Sequence, residues 1–149
     1  YLWIRLRVKG GAYGCMSGFG RDGDCYMVSY LDPKLAETNE VYDKLPEYLE
    51  QFDQDERSMD RYVIGAISEM DIPKNPAALG VRGLTAYLSG ITREQLQKER
   101  DEVIDTDAKE IRALVPYAKA VLSNNCLCVV GNENKIKENS SLFTTVRSL

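Results

Sequence analysis

The dipeptide Asp22-Gly23 constrains the fold more than any other feature of this sequence, because it separates two apolar runs, residues 13–20 and 25–31. Asp-Gly between apolar runs favours a type I′ turn, which requires backbone conformations that these two residues tolerate. The pattern therefore predicts an antiparallel β-hairpin near the start of the chain.

A two-residue turn at that position sets the register of the hairpin. It pairs Phe19 with Tyr26 and Cys15 with Tyr30, and it places Cys15 and Cys25 on opposite faces, because successive side chains of a strand alternate. We therefore expect Cys15 and Cys25 to be unbonded.

Most of the remaining sequence predicts helices. Residues 1–8 are typical of the end of a helix, which Gly10-Gly11 would stop. The predicted start signals, kinks and ends further along are a kink at Pro46, a capping box from Asp53 to Glu56, a stop at Asp71, an Asn75-Pro76 cap, a Thr92–Gln95 capping box and a kink at Pro116. Cys126–Val130 is predicted to be a short buried strand, followed by one or two helical turns. The hairpin, the helices and the late strand together predict an α+β fold.

Histidine is absent from the 149 residues. This excludes Ser-His and Cys-His nucleophilic pairs, and it excludes the usual zinc sites of a domain of this size. The four cysteines form no C-x-x-C pair, so neither a redox motif nor a zinc ribbon is indicated. We expect free thiols and no metal ligand in this chain.

Charge and glycine spacing argue against a nucleic-acid partner. The net charge is −4, whereas nucleic acid and anionic membranes both favour a basic surface. The glycines between residues 10 and 23 lead into a hairpin rather than a helix, and no G-K-[ST] follows them, so a phosphate loop is not indicated. The acidic clusters at residues 53–56 and 99–102 are typical of helix starts and solvated helix faces.

Arg7 and Tyr13 are the candidate site residues. Small residues on both sides of Tyr13 leave its ring uncrowded, and both side chains are hydrogen-bond donors suited to a peptide carbonyl or an oxyanion. From residue chemistry alone, a surface arginine and a core or turn tyrosine explain them better.

Residues 4–14, IRLRVKGGAYG, closely resemble the R-V-K-G-G-A-Y-G segment of presequence proteases in the insulinase/pitrilysin family of oligopeptidases. Weaker matches follow in the family's order, at residues 29–33, 55–57, 64–68 and 128–131. The resemblance covers essentially the whole chain.

The resemblance implies that residues 1–149 are a partial, non-catalytic C-terminal domain of a four-domain zinc oligopeptidase. Its fold would be insulinase/mitochondrial-processing-peptidase-like, with the hairpin and the late strand in one sheet packed against helices. The start of the domain would be missing. Zinc would be bound by an N-terminal domain of the same polypeptide, which carries H-x-x-E-H and closes with this part around a chamber.

The resemblance also assigns roles. Arg7 would contact a carbonyl of an unstructured peptide substrate. Tyr13 would reach across the closed chamber toward the zinc domain and donate to the tetrahedral oxyanion. The chain alone would be inactive. The partners would be the N-terminal catalytic domains and the peptide, with no nucleic acid and no membrane, in a bacterial cytoplasm or an organelle matrix.

Two alternatives remain open at this point. One is a degenerate scaffold or binding domain of the same family, against which the presence of both Arg7 and Tyr13 argues. The other is an unrelated nucleotide- or RNA-binding module, which would need a basic face or a phosphate loop that the sequence does not provide.

Overall fold

The computed structural model describes residues 1–148 and shows an α+β structure, as the sequence predicts. A short π-helical segment, Trp3–Lys9, begins the chain and a 3-10 turn, Ser140–Leu142, lies near its end. The hairpin strands are β1 (Gly14–Phe19) and β2 (Cys25–Tyr30). The α-helices are α1 (Ala36–Asp43), α2 (Leu45–Glu50), α3 (Glu56–Met70), α4 (Pro76–Leu88), α5 (Arg93–Ile104), α6 (Ala108–Ala113), α7 (Val115–Ser123) and α8 (Glu133–Glu138).

The chain forms two compact units. The first contains Tyr1–Gln51 and the chain from Ala113 onward, and the second contains residues 52–112. In the first unit α2 packs against α7, and the N-terminal π-helical segment packs against β1. In the second unit α3 packs against α5.

Each unit has a small core. The most buried side chain of the first is Leu6, which is 1% exposed, with Ala12 and Ala118 at 3% each. In the second unit Phe52 and Met59 are the most buried. Many large apolar side chains are exposed in both units, so the described residues leave much apolar surface uncovered.

The hairpin is present, but the predicted register is wrong by one residue. Met16 lies opposite Val28, and Phe19 lies opposite Cys25. The connection is longer than a two-residue turn: the Gly20 N–H donates to the Asp24 carbonyl at 2.7 Å, which leaves three residues between them. Gly23 supplies the positive φ, +90°, with which such loops commonly end.

The one-residue shift changes which side chains share a face. Cys15 and Cys25 lie on the same face of the hairpin, not on opposite faces, since Cys15 is paired with Ser29 and Phe19 with Cys25. They sit at opposite ends of the ladder, and all four cysteines are free. The expectation of unbonded thiols is confirmed, although the face argument for it is wrong.

Local helix signals are largely confirmed. A break between α1 and α2 precedes Pro46, another between α6 and α7 precedes Pro116, and Asn75 caps α4 through a 2.8 Å bond from the Ala78 N–H. The reciprocal Thr92–Gln95 capping box at α5 is present. The predicted cap at Asp53 is wrong: Asp55 caps α3 and accepts from the Ser58 N–H at 2.9 Å.

The predicted late strand is absent from the described residues. Cys126–Val130 has no regular secondary structure, and Cys126, Cys128 and Val130 are exposed rather than buried. No backbone hydrogen bond joins residues 128–131 to another segment of the described chain. A strand is defined by its neighbour, and within residues 1–148 this segment has none.

Among the described helices, none combines the length and the apolar character that a membrane crossing requires.

Candidate functional site

The N-terminal π-helical segment positions Arg7 against an aromatic ring. Trp3 and Arg7 are four residues apart, a spacing that brings helical side chains together. The Arg7 Cζ lies 4.4 Å from the centroid of the Trp3 ring, which is within the range of a cation–π contact. The Arg7 side chain is exposed, so its donors remain accessible.

Gly11 turns the chain back toward the segment it has just left. Its φ is +89°, a left-handed conformation that glycine adopts without a side-chain clash. The N–H groups of Gly11 and Ala12 donate to the carbonyls of Arg7 and Leu6 at 3.1 Å and 3.0 Å. Because the side chains of Leu6 and Ala12 are buried, this reversal is anchored in the core.

Tyr13 follows the reversal and is held by the hairpin. Its N–H lies 3.2 Å from the Tyr30 carbonyl oxygen and 3.3 Å from that of Leu31. Its ring lies 5.7 Å from the Tyr30 ring, tilted by 59°. The Arg7 Cζ is 5.6 Å from the Tyr13 ring centroid. Tyr13 is 61% exposed, so its backbone is fixed while its side chain remains accessible.

Gly14 makes room for the Tyr30 ring. A Cβ built on Gly14 would lie 2.5 Å from Tyr30 Cζ, far inside contact distance. Gly14 and Tyr30 are cross-strand partners, so the ring of one fills the space that the other leaves empty. Glycine at this position therefore lets Tyr30 lie beside Tyr13.

The neighbouring thiol does not suit a nucleophilic role. Cys15 is partly buried, and this burial raises the pKa of its thiol. Catalytic cysteines have the opposite property, a lowered pKa near a cation or a histidine. The site therefore offers hydrogen-bond donors rather than a nucleophile.

The described residues contain no group of three or more cysteine, aspartate or glutamate side chains that could hold a metal ion. With no histidine in the sequence, the residues present do not fit a zinc site. What the Arg7 and Tyr13 pair can do is donate hydrogen bonds to a carbonyl or to negative charge on oxygen.

The Gly11 reversal brings together both residues that the sequence singles out. Sequence reasoning missed their two aromatic neighbours, Trp3 and Tyr30. The four-residue spacing from Trp3 to Arg7 could have revealed the first. The second depends on the hairpin register, for which the sequence predicts a pairing one residue away.

Comparison with known proteins decides the family. The sequence profile of the PreP C-terminal domain matches residues 1–131. The chain belongs to this family. Among its relatives, Protein HypA of Clostridium perfringens is 47% identical over the whole chain, which covers 15% of that protein.

Two further relatives of this PreP C-terminal domain are presequence proteases. Presequence protease 1, chloroplastic/mitochondrial, of Arabidopsis thaliana is 30% identical over the whole chain, which covers 14% of the relative. The mitochondrial presequence protease of Schizosaccharomyces pombe is 28% identical over 83% of the chain and 12% of its own length. The chain thus spans only a small part, 12–15%, of these curated relatives.

Proposed function

We propose that this chain is the substrate-contacting, chamber-closing C-terminal part of a zinc-dependent peptidase that hydrolyses peptide bonds in unstructured peptides. Two observations support the proposal: membership of the PreP C-terminal domain family, and the exposed, adjacent donors of Arg7 and Tyr13. The insulinase-type fold of the complete domain is part of the same proposal.

In this proposal Tyr13 acts on the transition state. Its phenol O–H donates to the oxygen of the scissile carbonyl as negative charge develops there, which is where a preoriented donor lowers the barrier most. The hairpin and the Gly11 reversal fix the Tyr13 backbone, so rotation of its exposed side chain is enough to direct the hydroxyl at the bound peptide.

Arg7 acts on the bound peptide. Its guanidinium donates to a substrate carbonyl that is already present in the ground state, so its contact strengthens binding as well as catalysis. The Trp3 ring beside it restricts where the guanidinium can lie. Zinc would be bound elsewhere in the complete polypeptide, because the described residues provide no ligand set for it.

The test is Tyr13→Phe in the complete polypeptide, with Tyr30→Phe as the matched control. Each substitution removes one ring hydroxyl, and the two rings are neighbours. We expect Tyr13→Phe to lower kcat by about 10²- to 10³-fold, the typical cost of an oxyanion donor, with an unchanged thermal melt. Tyr30→Phe should leave kcat close to that of the wild type.

Two results would count against the proposal. Wild-type turnover in Tyr13→Phe would remove the oxyanion role while leaving the family assignment intact. A complete polypeptide that binds unstructured peptides and never cleaves them would instead favour the degenerate scaffold.

A further inference from the structure

One face of the hairpin carries two glycine–tyrosine pairs. Gly14 lies opposite Tyr30, and Gly18 lies opposite Tyr26. A Cβ built on either glycine would lie 2.5 Å from the nearest ring atom of its tyrosine partner. Each ring therefore lies across the neighbouring strand, over the space that its glycine leaves empty.

The two pairs differ in their distance from the candidate site. The centroid of the Tyr30 ring is 5.7 Å from that of the Tyr13 ring, and the ring planes are tilted by 59°, a geometry that aromatic pairs prefer. Tyr26 is four residues nearer the hairpin loop, which corresponds to roughly 13 Å along a strand. The Tyr26 pair therefore has the same local geometry without the contact with Tyr13.

The backbone that carries the Tyr30 ring is held at both ends. The Tyr30 carbonyl accepts from the Tyr13 N–H at 3.2 Å. Two residues further on, Asp32 accepts from the Lys34 N–H at 2.9 Å and from the Thr38 hydroxyl at 2.8 Å, and Thr38 is buried in α1. The Tyr30 ring thus projects from a fixed part of the chain.

The Tyr13 side chain is more exposed than its backbone anchors suggest, at 61%. An exposed side chain can occupy several staggered rotamers, and a given oxygen of the substrate is reached from only some of them. The Tyr30 ring and the Arg7 guanidinium lie against the Tyr13 ring and restrict these directions. A donor that is already oriented stabilises a transition state more than one that must first be ordered.

We propose that the Tyr30 ring is a positioning element for Tyr13. It favours the Tyr13 rotamer in which the hydroxyl faces the substrate carbonyl, and Gly14 is the residue that admits the ring. The inference rests on the proposed oxyanion role of Tyr13. Because the contact is between rings, the Tyr30 hydroxyl is not needed for it.

The experiment is steady-state hydrolysis of an unstructured peptide by the complete polypeptide carrying Tyr30→Leu. This change removes the ring and keeps an apolar side chain. Loss of the aromatic pair should lower kcat by roughly 2- to 10-fold. KM should stay nearly constant, because Tyr13 acts on charge that develops in the transition state. Tyr30→Phe keeps the ring and should retain the wild-type kcat.

The second pair on the same face supplies the matched controls. Tyr26→Leu removes a ring of similar exposure, 52% against 44% for Tyr30, so both leucine variants should lower the melting temperature similarly while Tyr26→Leu leaves kcat unchanged. Gly14→Ala should also lower kcat, because its methyl group displaces the Tyr30 ring. Gly18→Ala displaces the Tyr26 ring instead and should not.

A double-mutant cycle distinguishes failure of this inference from failure of the proposed function. In the Tyr13→Phe background, Tyr30→Leu should have no further effect on kcat. Wild-type turnover in Tyr13→Phe would remove the oxyanion role and this inference with it. If Tyr13→Phe lowers kcat but Tyr30→Leu does not, the oxyanion role stands and the positioning role is refuted. An equal loss of kcat in Tyr26→Leu, or a loss in Tyr30→Leu that persists without the Tyr13 hydroxyl, would also refute it.

Discussion

Replacing Trp3 by leucine tests whether its ring holds Arg7 in place for the substrate. The Arg7 Cζ lies 4.4 Å from the Trp3 ring and 5.6 Å from the Tyr13 ring, so the tryptophan is the closer contact. Trp3 is 50% exposed, and a cation–π contact at an exposed site contributes about 0.5–1 kcal/mol. If that energy holds the guanidinium toward the peptide, its loss lowers kcat/KM by roughly 2- to 5-fold.

The assay is steady-state hydrolysis of an unstructured peptide by the complete polypeptide. The loss should appear mainly as a raised KM, because Arg7 contacts the peptide before the reaction begins. Trp3→Phe is the matched control: it keeps an aromatic face, and its effect should be smaller than that of Trp3→Leu. Arg7→Ala should also raise KM.

A double-mutant cycle decides whether Trp3 acts through Arg7. In the Arg7→Ala background, Trp3→Leu should add almost nothing, since the contact it removes is already gone. If Trp3→Leu lowers kcat/KM equally in both backgrounds, Trp3 acts through packing and the reasoning is wrong. Thermal melts of all four proteins check that the fold is retained.

Three further outcomes are expected. The purified 149-residue chain should hydrolyse no peptide and bind no stoichiometric zinc, and zinc-dependent cleavage by it would contradict this. Gly11→Ala should cost about 1–2 kcal/mol in denaturant unfolding because of its positive φ, whereas Gly65→Ala, inside α3, should stabilise by up to about 1 kcal/mol. Cys15 should be alkylated more slowly than exposed Cys25, because burial raises the pKa of the Cys15 thiol; equal rates measured by mass spectrometry would argue against this.

The helices could be predicted from the sequence because their boundaries depend on residues close in sequence. The Thr92–Gln95 capping box and the Asn75-Pro76 start each need only three or four neighbouring residues to form. The misplaced cap at α3 shows the limit of such patterns. Asp53 and Asp55 are both good capping residues, and the choice of Asp55 follows from the backbone conformation on entry to the helix.

The Asp22-Gly23 pattern does not decide between the two hairpin registers that a two-residue loop and a three-residue loop would produce. Two- and three-residue loops both use glycine at positive φ. In the observed loop the Asp22 carboxylate accepts a 3.2 Å hydrogen bond from the Asp24 N–H, and the Gly23 N–H donates to the Gly20 carbonyl. These contacts stabilise a loop that is longer by one residue, and a one-residue shift moves every side chain to a new set of neighbours.

The candidate site is predictable only in part from its residues. Their chemistry alone leaves Arg7 and Tyr13 as an ordinary surface arginine and turn tyrosine, and the resemblance to presequence proteases singles them out. The structure adds the reason that they meet: Gly11 at positive φ folds Tyr13 back beside Arg7. Gly10-Gly11 suggests a left-handed glycine, but the sequence does not show which two side chains this backbone turn brings together.

The failed prediction at Cys126–Val130 has a different cause, because residue composition describes one segment whereas a strand needs two. Its composition is that of a strand, and β2 is a strand with one unpaired edge in the described chain. Composition can specify that a segment is able to pair, but the pairing itself belongs to two segments. Within residues 1–148 no backbone hydrogen bond joins residues 128–131 to a second segment, so the strand-like composition of Cys126–Val130 does not make it a strand.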